Sequence, residues 1–297
     1  IDEETGMTGA LGLKPGQLTG EILLNLDTEE DDEIDIGCAG GIDVTASANY
    51  TLTSTSSNFI KIEIKGLQGG HSGMDIHKGF GNSNVILGRL LYAGISNEIQ
   101  LISIDGGGLR NAIPREAHAL VAVNNASEYL QKLETLKSDI LEEFASVEKD
   151  LEINFATDEN TENGLSVEDS KKIILVLKSA HNGVYRMSPD VADLVEASNN
   201  IARVELKNGG LKILNLTRSS VESTKMAVAE QLKSVFELAG MQVDFSGSYP
   251  GWKPKPGAEI IKIMTEIYEK DFGAKPHVVA CHAGLECGII GANYPKM

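Results

Sequence analysis

The sequence predicts an α/β domain into which a second, α+β domain of two ferredoxin-like halves is inserted. Three observations carry this. Short apolar runs that end in polar groups stand near both ends, at residues 21–27 and 277–280, as strands of an open α/β sheet do. Between them a helix–strand–strand–helix pattern occurs twice, within residues 59–245. Composition shifts at the Thr/Ser-rich residues 46–57 and again at Tyr249-Pro250-Gly251-Trp252-Lys253-Pro254. The expected division is 1–45 and 248–297 for the α/β domain and 46–247 for the inserted one.

In chain order, Glu21-Ile22-Leu23-Leu24-Asn25-Leu26-Asp27 reads as a buried strand that delivers Asp27 at its edge. Residues 27–35 contain seven acids in nine and read, beyond Asp27, as a solvated loop. Gly37-Cys38-Ala39-Gly40-Gly41 lacks the Lys-Ser/Thr of a phosphate loop and reads as a tight turn. Phe59-Ile60-Lys61-Ile62-Glu63-Ile64-Lys65 alternates as a half-buried strand. Val85, Ile86, Leu90 and Leu91 repeat at helical spacing over 82–95, and strands are expected at 99–104 and 117–123. Leu130, Leu133, Leu136, Ile140, Leu141 and Phe144 form the apolar stripe of a helix over 128–147. A helix over 168–180 precedes strands 201–206 and 211–217, which close on the hairpin signal Asn208-Gly209-Gly210. A helix over 221–239 ends at Gly240, and a strand at 241–245 follows. Ile260, Ile261, Met264, Ile267 and Tyr268 make a last helix before Gly273. The strand from His277 then runs into Cys281-His282-Ala283-Gly284-Leu285-Glu286.

Composition excludes several classes. The 297 residues allow a sizeable core and two domains. A net charge of −17 argues against nucleic acid as a partner, because phosphate backbones demand Lys and Arg. No run approaches the roughly 18 apolar residues of a membrane span, and no signal peptide is visible. Three cysteines (Cys38, Cys281 and Cys287) without a C-x-x-C pair suit reduced thiols in a cytoplasmic protein. The chain opens on Ile1 within what reads as a domain, so it is expected to be a piece of a longer protein.

The densest chemistry lies at the start. Neighbours on a strand face opposite ways, so Glu3 and Glu4 share a site only in a loop, before Thr5-Gly6. There one carboxylate can ligate a metal while the other holds a proton near bound water; solvated terminal charge is the competing account. His71, set among glycines in Gly69-Gly70-His71-Ser72-Gly73, is read alone as a turn histidine. Asn111 fits turn chemistry, and Arg218 or Arg110 fits either a surface ion pair or an anion clamp.

Five strings in order resemble the dinuclear zinc peptidases related to carnosinase and the aminoacylases. They are Asp2-Glu3-Glu4-Thr5-Gly6, Asn25-Leu26-Asp27, Gly69-Gly70-His71-Ser72-Gly73, Asn111-Ala112-Ile113-Pro114-Arg115-Glu116-Ala117 and His282-Ala283-Gly284-Leu285-Glu286-Cys287-Gly288. Together they span nearly the whole chain, and the third and fifth resemble the dipeptidase branch. The resemblance implies a zinc-exopeptidase-like catalytic domain with an inserted lid, two zinc ions, and hydrolysis of dipeptides of the Xaa-His kind, such as carnosine. It implies Glu3 as the base toward a metal-bridging water, Glu4 and Asp27 as metal ligands, and His71 as the donor to the tetrahedral oxyanion. Asn111 would contact substrate, Arg218 would hold its carboxylate, Glu286 its ammonium, and His282 would be a polar wall. The partners implied are a small peptide and, through the lid, a second copy in a homodimer. The family's first His-x-Asp motif, its bridging aspartate and a last histidine ligand would lie outside this sequence, so this chain alone is expected to bind zinc weakly and be inactive. A zinc aminoacylase or N-deacylase, or a scaffold that keeps the fold, are the alternatives.

Overall fold

In the computed structural model, residues 6–27, 30–56, 58–159 and 162–297 are described; Glu3 and Glu4 therefore lie outside the described residues. A short helix α1 (Thr8–Gly12) precedes strands β1 (Glu33–Cys38) and β2 (Gly40–Asn49). β3 (Asn58–Lys65) follows, its alternation placing Ile60, Ile62 and Ile64 in the core and Lys61 in solvent. Next come the two-residue β4 (Gly70–His71), α2 (Ser83–Ala93), β5 (Gln100–Gly107), the two-residue β6 (Ala112–Ile113) and β7 (Ala117–Val123). Helix α3 (Ala126–Phe144) and strand β8 (Glu152–Asp158) complete the first half. The Asn82 side chain caps α2 by accepting from the amides of Asn84 and Val85, and Asn125 caps α3 through Glu128.

The second half contains α4 (Val167–Ser179), β9 (Gly183–Met187), β10 (Val195–Lys207), β11 (Gly210–Ser219), α5 (Glu222–Leu238) and β12 (Gln242–Tyr249). Asn208 and Gly209 close the β10–β11 hairpin at φ of 51° and 79°, the positive-φ pair that the Asn-Gly signal announces. Helix α6 (Glu259–Phe272), β13 (His277–Cys281) and α7 (Glu286–Asn293) end the chain.

Pairing joins the halves into one antiparallel sheet in the order β12-β2-β11-β10-β5-β7-β3-β8, with β9 beside β10. β5, β7, β3 and β8 repeat the βαββαβ path. β10, β11 and β12 repeat it with β2 as their first strand, so the first half is nested within the second. β10 and β5 meet from Arg203 opposite Gly107 to Leu206 opposite Ile104, which makes the two halves continuous. One core runs under both, from Ile62 and Leu90 through Ile173 and Val204 to Leu232 and Phe236. A small apolar cluster of Phe59, Ile102, Leu120 and Ala122 forms separately from it.

β1 pairs in parallel with β13, from Glu33 opposite His277 to Cys38 opposite Cys281. This brings the two ends of the chain together. Three expectations are corrected here. Residues 21–27 form no strand and are exposed, with Leu26 at 90%; an apolar run becomes a buried strand only where a ladder partner receives its amides and carbonyls, and none of the described strands pairs with it. Glu33 and Asp35, expected in a loop, lie in β1, because pairing with β13 outweighs their low strand propensity. Gly40 and Gly41, expected in a turn, begin β2, which runs on through residue 46.

Candidate functional site

The ends of several strands converge on one polar cluster. β4 pairs with β6, Gly70 opposite Ile113 and His71 opposite Ala112, and the Ser72 amide donates to the Asn111 carbonyl at 2.8 Å. His71 and Asn111, separated by 40 residues of chain, are thus held on one small ladder. The His71 amide donates to the Asp75 carboxylate at 2.7 Å. Its ring Nδ1 accepts from the amides of Met74 at 3.0 Å and Gly73 at 3.3 Å. A backbone amide only donates, so Nδ1 carries no proton and the neutral ring must carry its hydrogen on Nε2. Burial, and then the Arg218 charge, lower the His71 pKa and favour that neutral form.

His71 Nε2 lies 3.5 Å from Nη2 of Arg218, at the end of β11. Two donors therefore face each other with no acceptor between them. Arg218 is only 4% exposed; its Nη1 donates to the Tyr249 hydroxyl at 2.9 Å, and its Nε has no partner among the described residues. A buried guanidinium without a carboxylate is costly unless an anion completes it. Arg110, the rival anion clamp, is already committed: it pairs with Asp43 at 3.2 Å and donates to the Asn215 carbonyl and the Thr45 hydroxyl.

His282, just past β13, is buried, with Nε2 2.8 Å from the Ser198 hydroxyl and Nδ1 unpartnered. Burial first, then Arg218 and His71, push its pKa down to about 3, so it is a neutral polar wall. Its carbonyl packs on the His71 loop so closely that a Cβ at Gly73 would stand 2.1 Å from the oxygen. Glycine is required there by close approach.

The comparisons with known proteins bear on this arrangement. Residues 62–152 match the M20 peptidase dimerisation domain. The cytosol non-specific dipeptidase of Escherichia coli (strain K12) is 39% identical over 303 residues, covering 100% of this chain and 62% of that protein. The crystal structure of aminoacylhistidine dipeptidase from Vibrio alginolyticus superposes with a TM-score of 0.95 at 40% identity, again over 100% of this chain and 62% of the other. This chain is similar to both of these dipeptidases along its whole length. It spans a little under two thirds of their length.

The remaining expected residues lie apart from the Arg218 cluster's hydrogen bonds. Glu286 begins α7 half-buried, its carboxylate accepting from the Asn25 side chain at 3.5 Å. Asn25 in turn accepts from the Asp27 amide at 3.1 Å, on an exposed loop. Among the described residues no group of three or more His, Cys, Asp or Glu side chains could hold a metal ion. The described donors thus do not form a zinc shell by themselves.

Sequence reasoning missed Tyr249, Ser198 and the Asp43–Arg110 pair. Ser198 and Tyr249 sit in strands whose pattern gives no sign of a distant His or Arg. Only the Tyr249-Pro250-Gly251-Trp252-Lys253-Pro254 string, read as a domain boundary, drew attention to this region.

Proposed function

We propose that the protein hydrolyses dipeptides, of the Xaa-His kind such as carnosine, and that this chain supplies the pocket for the substrate's carboxylate and oxyanion. The observation that supports this most is the meeting of Arg218 and the His71 Nε2–H. Both are donors, one is a buried cation, and neither forms an ion pair with a described residue. A substrate carboxylate suits a guanidinium bidentately, and a developing oxyanion suits a preorganised N–H. In this reading Asn111, on the same small ladder as His71, lines that pocket and His282 walls it.

Zinc as the metal, two ions per site, Glu4 and Asp27 as ligands, Glu3 as the base and Glu286 as the ammonium partner rest on the family resemblance. The division into segments 1–45 and 248–297 and an inserted domain at 46–247 rests on the sequence pattern and composition shifts, and its reading as catalytic domain and lid on the resemblance. A homodimer fits the matched dimerisation domain. Cytoplasmic location fits the three free thiols and the cytosolic name of the relative.

The test is hydrolysis of carnosine and of its N-acetylated analogue by the intact protein. Carnosine should be cleaved, chelator should stop the reaction, and added zinc should restore it. Preference for the acylated substrate would replace this reading with an N-deacylase, and inertness toward both would leave a scaffold.

A further inference from the structure

We infer that Tyr249 is a positioning residue that aims Arg218 at the substrate's carboxylate, an inference that rests on the dipeptidase reading above. The argument begins with sheet register. β2 lies between β11 and β12, and Gly41 on β2 is the register partner of both Arg218 and Tyr249. Residues directly opposite in neighbouring strands project to the same face. Arg218 and Tyr249 therefore stand in one row, two strands apart, with a residue that has no side chain between them.

The phenol uses that gap. A Cβ at Gly41 would lie 2.6–2.7 Å from Cε1, Cζ and the hydroxyl of Tyr249, so any other residue there would occupy the space of the ring. On another side a Cβ at Gly284 would come within 3.0 Å of Cε2. The ring crosses β2 and its oxygen accepts from Arg218 Nη1 at 2.9 Å.

Two further features hold the ring's backbone. The β12 register shifts between Ser246 and Tyr249, an irregularity of the kind that re-aims a side chain. The fully buried Lys225 then ties down the strand end, donating to the Tyr249 carbonyl at 2.8 Å and the Ser248 hydroxyl at 3.2 Å while pairing with Glu222 at 2.9 Å. A buried ammonium spent on one strand terminus marks that terminus as a place whose position matters.

The chemistry of the partner also fits. A carboxylate beside Arg218 would orient the guanidinium but neutralise it. A phenol orients it and leaves its charge for a ligand. Burial raises the Tyr249 pKa, so the group stays un-ionised at neutral pH.

The experiment compares dipeptides with free carboxylates against their C-terminal amides in the intact protein. The readout is the ratio of kcat/KM for acid over amide. Arg218→Met tests the parent reading: it should collapse that ratio. Tyr249→Phe keeps the ring and removes the oxygen, and should lower the ratio about tenfold, the scale of one hydrogen bond to a charged group. Gly41→Ala, which displaces the ring, should lower it likewise and decides the matter if Tyr249→Phe does not fold. A merely structural tyrosine would slow both substrates equally and leave the ratio unchanged, which overturns the inference. If Arg218→Met also leaves the ratio unchanged, the carboxylate-anchor reading fails first.

Discussion

At the scale of single residues, the cluster is built from groups held in the neutral or unpaired form that a ligand can use. His282 shows the cost. Its folded pKa is pushed down to about 3 from an ordinary 6.5, chiefly by burial. Above pH 6.5 both folded and unfolded forms are neutral, and the residue contributes nothing to pH dependence. Between 6.5 and 3 the unfolded chain takes up a proton that the folded chain refuses, so stability falls as pH falls. The slope is about 1.4 kcal/mol per pH unit, flattening below the folded value. His282→Gln removes the titration and retains a group able to bond Ser198. Urea unfolding at pH 7 and pH 5 should show the wild type losing about 2 kcal/mol more than the variant over that interval. An equal loss in both would mean that His282 is not the neutral wall described here.

At the scale of elements, long-range polar contacts hold the small ladder that carries His71. The Asn200 side chain donates to the carbonyls of Arg110 at 3.1 Å and Ala112 at 2.8 Å, and accepts from Asn82 at 3.2 Å. Asn200→Ala leaves two carbonyls without their donor and should cost on the order of 2–3 kcal/mol. The Ser72 amide, bonded to Asn111 across the ladder, should then exchange hydrogen faster than amides of β10 itself; unchanged protection at Ser72 would mean the ladder holds without Asn200. None of this linkage is written locally. Helices α2, α4 and α5 and the β10–β11 hairpin were legible because their signals are local: apolar residues at helical spacing, a glycine stop, an Asn-Gly turn. β1 and the start of β2 were not, because their acids and glycines speak against strand until pairing with β13, β11 and β12 decides otherwise. The run at residues 21–27 erred in the opposite direction: its apolar pattern is strand-like, yet no described strand takes it up.

At the scale of the molecule, the nesting of one half inside the other brings His71 and Arg218 into contact within one chain. The motif strings named His71 and His282, and the resemblance added Arg218 from outside them, but none of these could say that the three meet. They meet because β2 opens the second half before the first half begins, and because β10 then pairs with β5 to close the sheet. His71 comes from the first half, Arg218 from the second, and His282 from beyond both, all in one chain. Dimerisation through the matched domain is thus not needed to bring these three together, whatever else it does. A complementation experiment separates the cases. His71→Ala and Arg218→Met versions of the intact protein, each nearly inactive, are mixed after dissociation or produced together. If each site draws both residues from its own chain, every site in the mixed dimer keeps one defect and activity stays at the level of the single variants. If a site took His71 from a partner, one site in each mixed dimer would be whole, and a sizeable fraction of wild-type activity would return. Recovery would show that the in-chain contact of His71 and Arg218 is not the working one; its absence, with mixed dimers confirmed by mass, is the outcome the sheet topology requires.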